Sequence, residues 1–247
     1  MSRGLEFAHP ATRRWFDTSF EAPTDAQRKG WPKIASSQST LLLAPTGSGK
    51  TLSAFLVALD RLMFGPAPEA RGVRVLYVSP LKALGVDVER NLRAPLNGIR
   101  LAAEAMGASF RVPEVGVRSG DTPQREREQM RRAPPEILIT TPESLYLILT
   151  SRAKEILRTV ETVIVDEIHS LVEGKRGAHL FLSLERLQAI ATKPIQRIGL
   201  SATQRPLDEV GRLLGGFDSS VDPPKPRPVE IVDASHKKTF EVTVEVP

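Results

Sequence analysis

The segment from residue 40 to residue 51, TLLLAPTGSGKT, constrains the fold more than any other part of the chain. Its apolar run at 41–43 predicts a short buried strand, which ends before Pro45. Gly47 and Gly49 then form a glycine-rich turn, and apolar residues after it recur at helical spacing. A strand, a glycine-rich turn and a helix in this order predict a phosphate-binding loop, or P-loop.

The residue types in this turn suit a bound phosphate. Glycines let successive N–H groups face an anion, and the following helix adds partial positive charge at its amino terminus. Lys50 is predicted to neutralise the β and γ phosphates of ATP, and the Thr51 hydroxyl to bind Mg²⁺. Ala44 stands where the general pattern has glycine, and an ordinary strand–turn–helix corner is the alternative. The predicted nucleotide-binding residues here are Thr46, Gly47, Ser48, Gly49, Lys50 and Thr51.

Composition limits the class of protein. The 247 residues are 40% hydrophobic, with no cysteine and no apolar run of membrane-spanning length. No signal-peptide pattern is recognised, so we expect a soluble, cytoplasmic protein. The net charge of +5 is compatible with a polyanionic partner.

Further apolar runs alternate with helical patterns along the chain. They predict strands at residues 73–78, 115–118, 137–140, 162–165 and 197–200. This alternation indicates an α/β fold with a mostly parallel sheet and helices on both faces, whose ligands bind at the carboxyl ends of the strands. The helix after the second strand is expected to be interrupted near Pro95. Runs at 229–232 and 240–246 predict two more strands that do not extend this pattern.

Upstream of the loop, Thr24 is a plausible helix N-cap with Gln27 three residues later. A glutamine amide both donates and accepts hydrogen bonds, so Gln27 could pair with the edge of adenine. The alternative is a capped helix with a surface glutamine. Phe7 or Phe20 could stack on the base, and the sequence does not choose between them.

The strand at 162–165 ends in two acids, Asp166 and Glu167. In phosphoryl transfer the first acid is expected to hold Mg²⁺ and the second to orient the attacking water. A pair of helix-capping acids is the alternative. His169 could sense the γ-phosphate or cap a helix. After strand 197–200, Ser201 and Thr203 are expected to hydrogen-bond to the acids and relay the nucleotide state.

Other strand ends carry candidates for nucleic-acid binding, namely Pro80, Lys82, Gly120, Thr141 and Glu143. Taken without its neighbours, Lys82 would be interpreted as a solvated surface lysine. Thr141 can cap the helix that Pro142 opens, and that helix amino terminus could also hold a phosphate. The arginines at 123–132 are diluted by glutamates and predict a solvated helix face.

The blocks PTDAQ, APTGSGKT, SPLKAL, TTPES, DEIH and SAT follow one another in this order. In this order they resemble the first RecA-like domain of superfamily 2 helicases, over about residues 5–216. SPLKALGVD, ITTPESL, EGKRGAHL and the DEIH box are most similar to the Lhr (large helicase-related) family.

The resemblance implies ATP- and Mg²⁺-dependent 3′-to-5′ movement on single-stranded DNA, more than on RNA, and unwinding in DNA repair. It assigns residues 1–38 to amino-terminal helices with a Q motif, 39–217 to the RecA-like domain, and 218–247 to a linker towards a second RecA-like domain. An isolated first domain is expected to bind ATP but to hydrolyse it slowly. The alternatives are a nucleotide-switched nucleic-acid-binding protein without unwinding, a nucleotide switch without nucleic acid, and a nucleic-acid-binding module with a vestigial nucleotide site.

Overall fold

A computed structural model describes residues 4–80, 82–202 and 206–235, with the backbone alone for residues 82–86. Its strands are β1 (Thr40–Leu43), β2 (Val75–Val78), β3 (Val115–Arg118), β4 (Ile137–Thr140), β5 (Thr162–Val165), β6 (Gln196–Ser201), β7 (Phe217–Asp218), β8 (Lys225–Pro226) and β9 (Glu230–Asp233). Seven of them form a parallel sheet in the order β3-β4-β2-β5-β6-β1-β9. The predicted α/β class is confirmed.

Helices cover both faces of this sheet. They are α1 (Pro10–Ser19), α2 (Asp25–Ala35), α3 (Lys50–Phe64), α4 (Lys82–Ala105), α5 (Gln124–Arg132), α6 (Pro142–Leu149), α7 (His169–Val172), α8 (Lys175–Ile190) and α9 (Leu207–Gly215), with the 3₁₀ helix η1 at Arg152–Leu157. Helices α1 to α4 contribute to one apolar cluster with alternate strand residues such as Leu42 and Tyr77. Helices α6 to α9 contribute to the other, with Leu41 and Leu76. The alternating side chains of each buried strand thus face two cores.

Two local predictions are wrong. Helix α4 continues through Pro95, because its buried residues Leu92, Leu96 and Ile99 hold it against the core on both sides of the proline. Strand β9 also extends the main sheet, with Leu42 opposite Val232. Pairing with β1 covers the edge of the central sheet, which the alternating pattern of 229–232 did not indicate.

Strand β7 pairs antiparallel with β8 in a small separate hairpin.

In the part of the chain that the structure describes, no helix is long and apolar enough to span a membrane.

Candidate active site

The predicted nucleotide residues meet in one cleft of about 770 Å³ at the carboxyl edge of the sheet. Strand β1 delivers the glycine-rich turn to this edge, and β5, two strands away, delivers the acids. The predicted residues that line the cleft are Thr24, Gln27, Thr46, Gly47, Gly49, Lys50, Thr51, Asp166 and Glu167. The fold therefore brings together groups that are up to 143 positions apart (167 − 24) in the sequence.

The turn between β1 and α3 has the curled backbone expected of a phosphate-binding loop. Gly47 and Gly49 both have a φ of +80°, a left-handed conformation that favours glycine. The Ser48 hydroxyl donates to the carbonyl of Pro45 at 2.6 Å and closes the turn. Ser48 thus shapes the loop through its own hydrogen bond, and Gly49 is the N-cap residue of α3.

Lys50 is buried, and its Nζ donates to the carbonyl of Ala44 at 2.7 Å. Burial lowers the pKa of this amine, and the nearby charges of Glu167 and Asp166 act in the opposite direction. The ammonium group is therefore held inside the loop, at the cleft, by the last backbone carbonyl before the turn.

Thr24 and Gln27 form a capping box at the start of α2 and also contact the loop. The Thr24 N–H donates to Oε1 of Gln27 at 2.9 Å, and the Thr24 hydroxyl donates to the carbonyl of Ser48 at 2.8 Å. Gln27 is only 3% exposed, so the surface-glutamine alternative is wrong. A Cβ placed on Gly49 would lie 2.7 Å from Nε2 of Gln27. Gln27 therefore packs directly on the loop.

Of the two aromatic candidates, Phe20 lines the cleft. Phe7 instead packs on Trp31, with ring centroids 6.1 Å apart. The geometry thus favours Phe20 as the partner of a bound base, while the adenine contact itself stays a prediction.

The two acids have different environments. Asp166 is buried; its Oδ1 accepts the N–H of Glu167 at 2.9 Å, and its Oδ2 accepts the hydroxyl of Tyr77. Burial and the charges of both acids raise the pKa of Tyr77, which therefore stays a donor. Glu167 is a non-glycine residue at a φ of +43°. Such strain is typical of functional sites and persists only when the surroundings enforce it.

Thr51 and Asp166 line the same cleft and offer a hydroxyl and a carboxylate. Mg²⁺ is usually held by one or two protein oxygens together with phosphate and water, so this donor set fits the ion. Tyr77, the tyrosine in the otherwise aliphatic strand β2, was not predicted as a site residue. Its aromatic hydroxyl in a fully buried strand was the available signal, because a buried hydroxyl needs a partner.

His169 lies between Glu167 and β6. Its Nδ1 is 3.3 Å from Oε2 of Glu167 and 3.4 Å from the hydroxyl of Ser201. The expectation that Ser201 bonds directly to the acids is therefore corrected: the contact runs through the histidine, because β6 ends beside α7. Thr203 lies outside the described residues.

The predicted nucleic-acid residues follow β2, β3 and β4, on the other half of the same edge. Arg176 on α8 donates to the carbonyl of Pro80 and to Glu143, both at 2.6 Å. Thr141 caps α6 by accepting the N–H of Ser144 at 3.3 Å, as predicted. Lys82 begins α4. The structure thus places these candidates on neighbouring strand ends, with Arg176 joining two of them.

Arg127 on α5 holds the loop that contains Gly120. Its guanidinium donates to the carbonyls of Thr122 at 2.7 Å and Gly120 at 2.8 Å. The prediction that the arginines of this helix form only a solvated face is thus wrong for Arg127. The roles of Arg127 and Arg176 were not predicted, because they bond to backbone carbonyls, and in the case of Arg176 also to the distant Glu143, which no local sequence pattern indicates.

Residues 24–210 match the DEAD/DEAH box helicase family. The chain belongs to this family. It is 55% identical over 236 residues to an Lhr helicase/probable uracil glycosylase of Mycolicibacterium smegmatis, and 50% identical over 244 residues to an Lhr helicase/uracil glycosylase of Escherichia coli. Each alignment covers 96% of this chain and 15% of the relative.

An ATP-dependent helicase Lhr-Core protein 2 of Thermococcus barophilus is 48% identical, over 94% of this chain and 27% of the relative. The chain thus spans less than a third of the length of these relatives. The solved structure of Mycobacterium smegmatis helicase Lhr bound to ssDNA and AMP-PNP is similar with a TM-score of 0.87 and 53% identity, over 96% of this chain and 29% of that one. The predicted resemblance to Lhr proteins is confirmed.

The DEAD-box helicase Mss116, solved with ssRNA and UDP-BeF, is similar with a TM-score of 0.74 at 16% identity, over 92% of this chain and 43% of that one. This likeness concerns the fold alone.

Proposed function

We propose that the chain is the ATP-binding domain of an ATP-dependent DNA helicase or translocase of the Lhr type. The observation that carries the proposal is the meeting of Lys50, Thr51, Asp166 and Glu167 in one cleft beside a left-handed glycine turn. In the whole protein, ATP hydrolysis would drive 3′-to-5′ movement on single-stranded DNA in a repair pathway. The similarity to helicases named Lhr supports this assignment.

The residues of the cleft have different proposed roles in binding and hydrolysing ATP. The loop N–H groups and Lys50 would bind the phosphates, and Phe20 and Gln27 would receive the base. Thr51 and Asp166 would hold Mg²⁺, which neutralises charge on the transferred phosphoryl group. Glu167 would orient the attacking water, and His169 would report the state of the γ-phosphate to Ser201. The buried Tyr77 hydrogen bond supports a fixed carboxylate at Asp166.

A second RecA-like domain is part of the proposal. No arginine is among the described residues that line the cleft, and Lys50 is the one cation there. Phosphoryl transfer usually needs an arginine that stabilises the far side of the γ-phosphate. We place that arginine on the second domain, in the whole protein.

The other half of the carboxyl edge would contact the single strand. Pro80, Lys82, Gly120, Thr141 and Glu143 follow neighbouring strands β2, β3 and β4. Contacts from backbone N–H groups and a lysine reach phosphates and do not read bases. Binding should therefore be weak and insensitive to sequence, and log affinity should fall with log salt by roughly 0.7 per phosphate neutralised.

The alternative is a nucleotide-switched nucleic-acid-binding protein without unwinding. The polar link from Glu167 through His169 to Ser201 favours it, since such a link can transmit the nucleotide state without translocation. A strand-displacement assay on the whole protein separates the two. Duplex unwinding would exclude the switch, and ATP-dependent strand binding without unwinding would exclude the helicase.

The test of the site is titration calorimetry of the chain with ATP and Mg²⁺. Lys50→Ala removes the charge that faces the phosphates and should weaken binding about 10- to 100-fold, the range of a charged hydrogen bond. The matched control is Lys154→Ala, an exposed lysine on η1 outside the cleft. Absence of binding heat for the unchanged chain at millimolar ATP would contradict the proposal.

Hydrolysis tests the need for a second domain. The isolated chain should hydrolyse ATP about 10³- to 10⁵-fold more slowly than the chain joined to a second RecA-like domain, the usual effect of a missing arginine. Glu167→Gln in the joined protein should abolish turnover stimulated by DNA while ATP still binds. Equal turnover of the isolated and joined proteins would show that one domain suffices.

A further inference from the structure

A second cavity, of about 400 Å³, lies on the flank of the sheet between the end of β3, helix α5 and the start of η1. Four arginines line it: Arg118, Arg127, Arg131 and Arg152. The acidic residue in its lining, Glu128, accepts hydrogen bonds from Arg131 at 2.9 and 3.1 Å. Three positive charges therefore remain without an acidic partner in the lining.

Arg118 is the most buried of the four arginines. Its residue is 8% exposed, and its buried Nη1 has no hydrogen-bond partner among the residues that the structure describes. Burial lowers the pKa of this guanidinium, the charge of Arg127 lowers it further, and Glu128 opposes both. Burying a charge without a partner is costly, and an anion at this place would offset the cost.

The cavity is separate from the nucleotide cleft. The two share no lining residue, and β3 is the edge strand at the far side of the sheet from β1. Arg127 connects the cavity to the Gly120 loop, because its guanidinium also donates to the carbonyls of Thr122 and Gly120.

We propose that this cavity binds a phosphate group through Arg118, Arg127 and Arg152. Guanidinium groups from a strand, a helix and a 3₁₀ helix converge there, and several planar donors suit an anion with oxygens in several directions. A single carboxylate would leave two of the three charges unmatched. The phosphate is either free or part of a nucleic-acid backbone, and in both cases its contact with Arg127 would stiffen the Gly120 loop.

This inference does not depend on the proposed ATPase function. The first test is a calorimetric titration with inorganic phosphate at constant ionic strength, in the Lys50→Ala chain so that the glycine-rich loop contributes little. Binding should be saturable, and Arg118→Met should weaken it at least about tenfold, since it removes a charged hydrogen-bond donor. Arg125→Met is the control for loss of a positive charge, because Arg125 is exposed on α5, the helix that carries Arg127, and does not line the cavity.

Arg118→Met should fold, since it removes a buried guanidinium whose Nη1 has no hydrogen-bond partner among the described residues. If its thermal unfolding differs from that of the parent, Arg152→Gln at an exposed position replaces it and should weaken phosphate binding severalfold. Absence of saturable phosphate binding, or binding equal in parent and Arg118→Met with the fold intact, would overturn the proposal.

A second titration with a single-stranded oligonucleotide distinguishes the source of the phosphate. If Arg118→Met weakens both phosphate and oligonucleotide binding, the natural ligand is a strand that passes over this flank. If it weakens phosphate binding alone, the ligand is a free phosphate compound. Both outcomes support the site, and they assign it differently.

Discussion

The two halves of the carboxyl edge hold their polar groups by different means. In the nucleotide half, at the ends of β1, β5 and β6, the key charges are buried: Lys50 bonds to the carbonyl of Ala44, and Asp166 accepts from Tyr77. In the outer half, at the ends of β2, β3 and β4, exposed or half-exposed arginines hold backbone carbonyls, as Arg176 does with Pro80.

This difference indicates how each half can move. A buried charge with fixed partners is costly to rearrange, so the nucleotide half is preorganised for its ligand. Exposed ion pairs are worth about 0.2–1 kcal/mol, so the loops of the outer half can shift at little cost. Strand β2 pairs with β5 where the halves meet, and the buried hydrogen bond from Tyr77 on β2 to Asp166 after β5 adds a side-chain contact between them.

The largest expected loss of unfolding free energy comes from replacing the loop glycines of the nucleotide half. Gly47→Ala and Gly49→Ala each place a side chain at a φ of +80°, which costs about 1–2 kcal/mol. At Gly49 the new methyl group would also displace the Gln27 amide and break its bond to Thr24, adding about 1 kcal/mol. At Gly47 no atom lies within 4 Å. Denaturant unfolding measures both free energies, and equal losses would contradict a contact between Gln27 and the loop.

Tyr77→Phe tests the contact that joins the halves. The variant removes a donor to the buried Oδ2 of Asp166, while Oδ1 keeps the N–H of Glu167. We expect a loss of about 1.5 kcal/mol in the free energy of unfolding, the lower end for hydrogen bonds to charged groups. Tyr146→Phe is the control, since this second tyrosine is partly exposed on α6. Equal losses of unfolding free energy in the two variants would show that the hydrogen bond from Tyr77 to Asp166 does not stabilise the fold.

Sequence reasoning found what is encoded locally. In the loop, Lys50 and the Ala44 carbonyl to which it donates are six positions apart. The caps at Thr24 and Thr141 involve partners three positions away. Such contacts form wherever the local pattern forms, so the strand–turn–helix order was enough to predict the loop, and the residue types were enough to predict the caps.

The sequence indicated that the loop and the acids would meet at one edge of the sheet, but it did not predict the individual hydrogen bonds between distant segments. Tyr77 and Asp166 are 89 positions apart, and Arg176 and Pro80 are 96 positions apart. Their pairing depends on the strand order, which places β2 beside β5, and a hydrophobic pattern predicts strands without their order. The same limit explains why β9 was not expected beside β1.

A smaller effect is expected in the outer half. Arg176→Gln removes the donors to Pro80 and Glu143 on a side chain that is 44% exposed. The free energy of unfolding should change by less than about 1 kcal/mol. Fluorescence anisotropy should show severalfold weaker binding of single-stranded DNA, because the Pro80 turn and the start of α6 are no longer joined.

The neighbouring exposed Lys175→Gln is the charge-matched control for Arg176→Gln. It removes the same charge from the start of α8 without touching Pro80 or Glu143. Equal loss of DNA affinity in both variants would mean that net charge matters and the bond to Pro80 does not. A loss of stability in Arg176→Gln as large as that of Tyr77→Phe would break the contrast between the halves.

The smallest expected effect is the pH dependence of the unfolding free energy that the Arg176–Glu143 ion pair contributes. The hydrogen bond from Arg176 lowers the pKa of Glu143, and partial burial opposes it. A lowered carboxylate pKa gives stability that is present above the ordinary glutamate value of about 4.3 and is lost as pH falls through the folded-state pKa. The difference in unfolding free energy between the parent and Glu143→Gln should therefore be about 0.2–1 kcal/mol near neutral pH and shrink towards acid pH. In an Arg176→Gln background this pH dependence should disappear. A difference that stays constant from neutral to acid pH would show that Glu143 stabilises the outer half by packing rather than by charge.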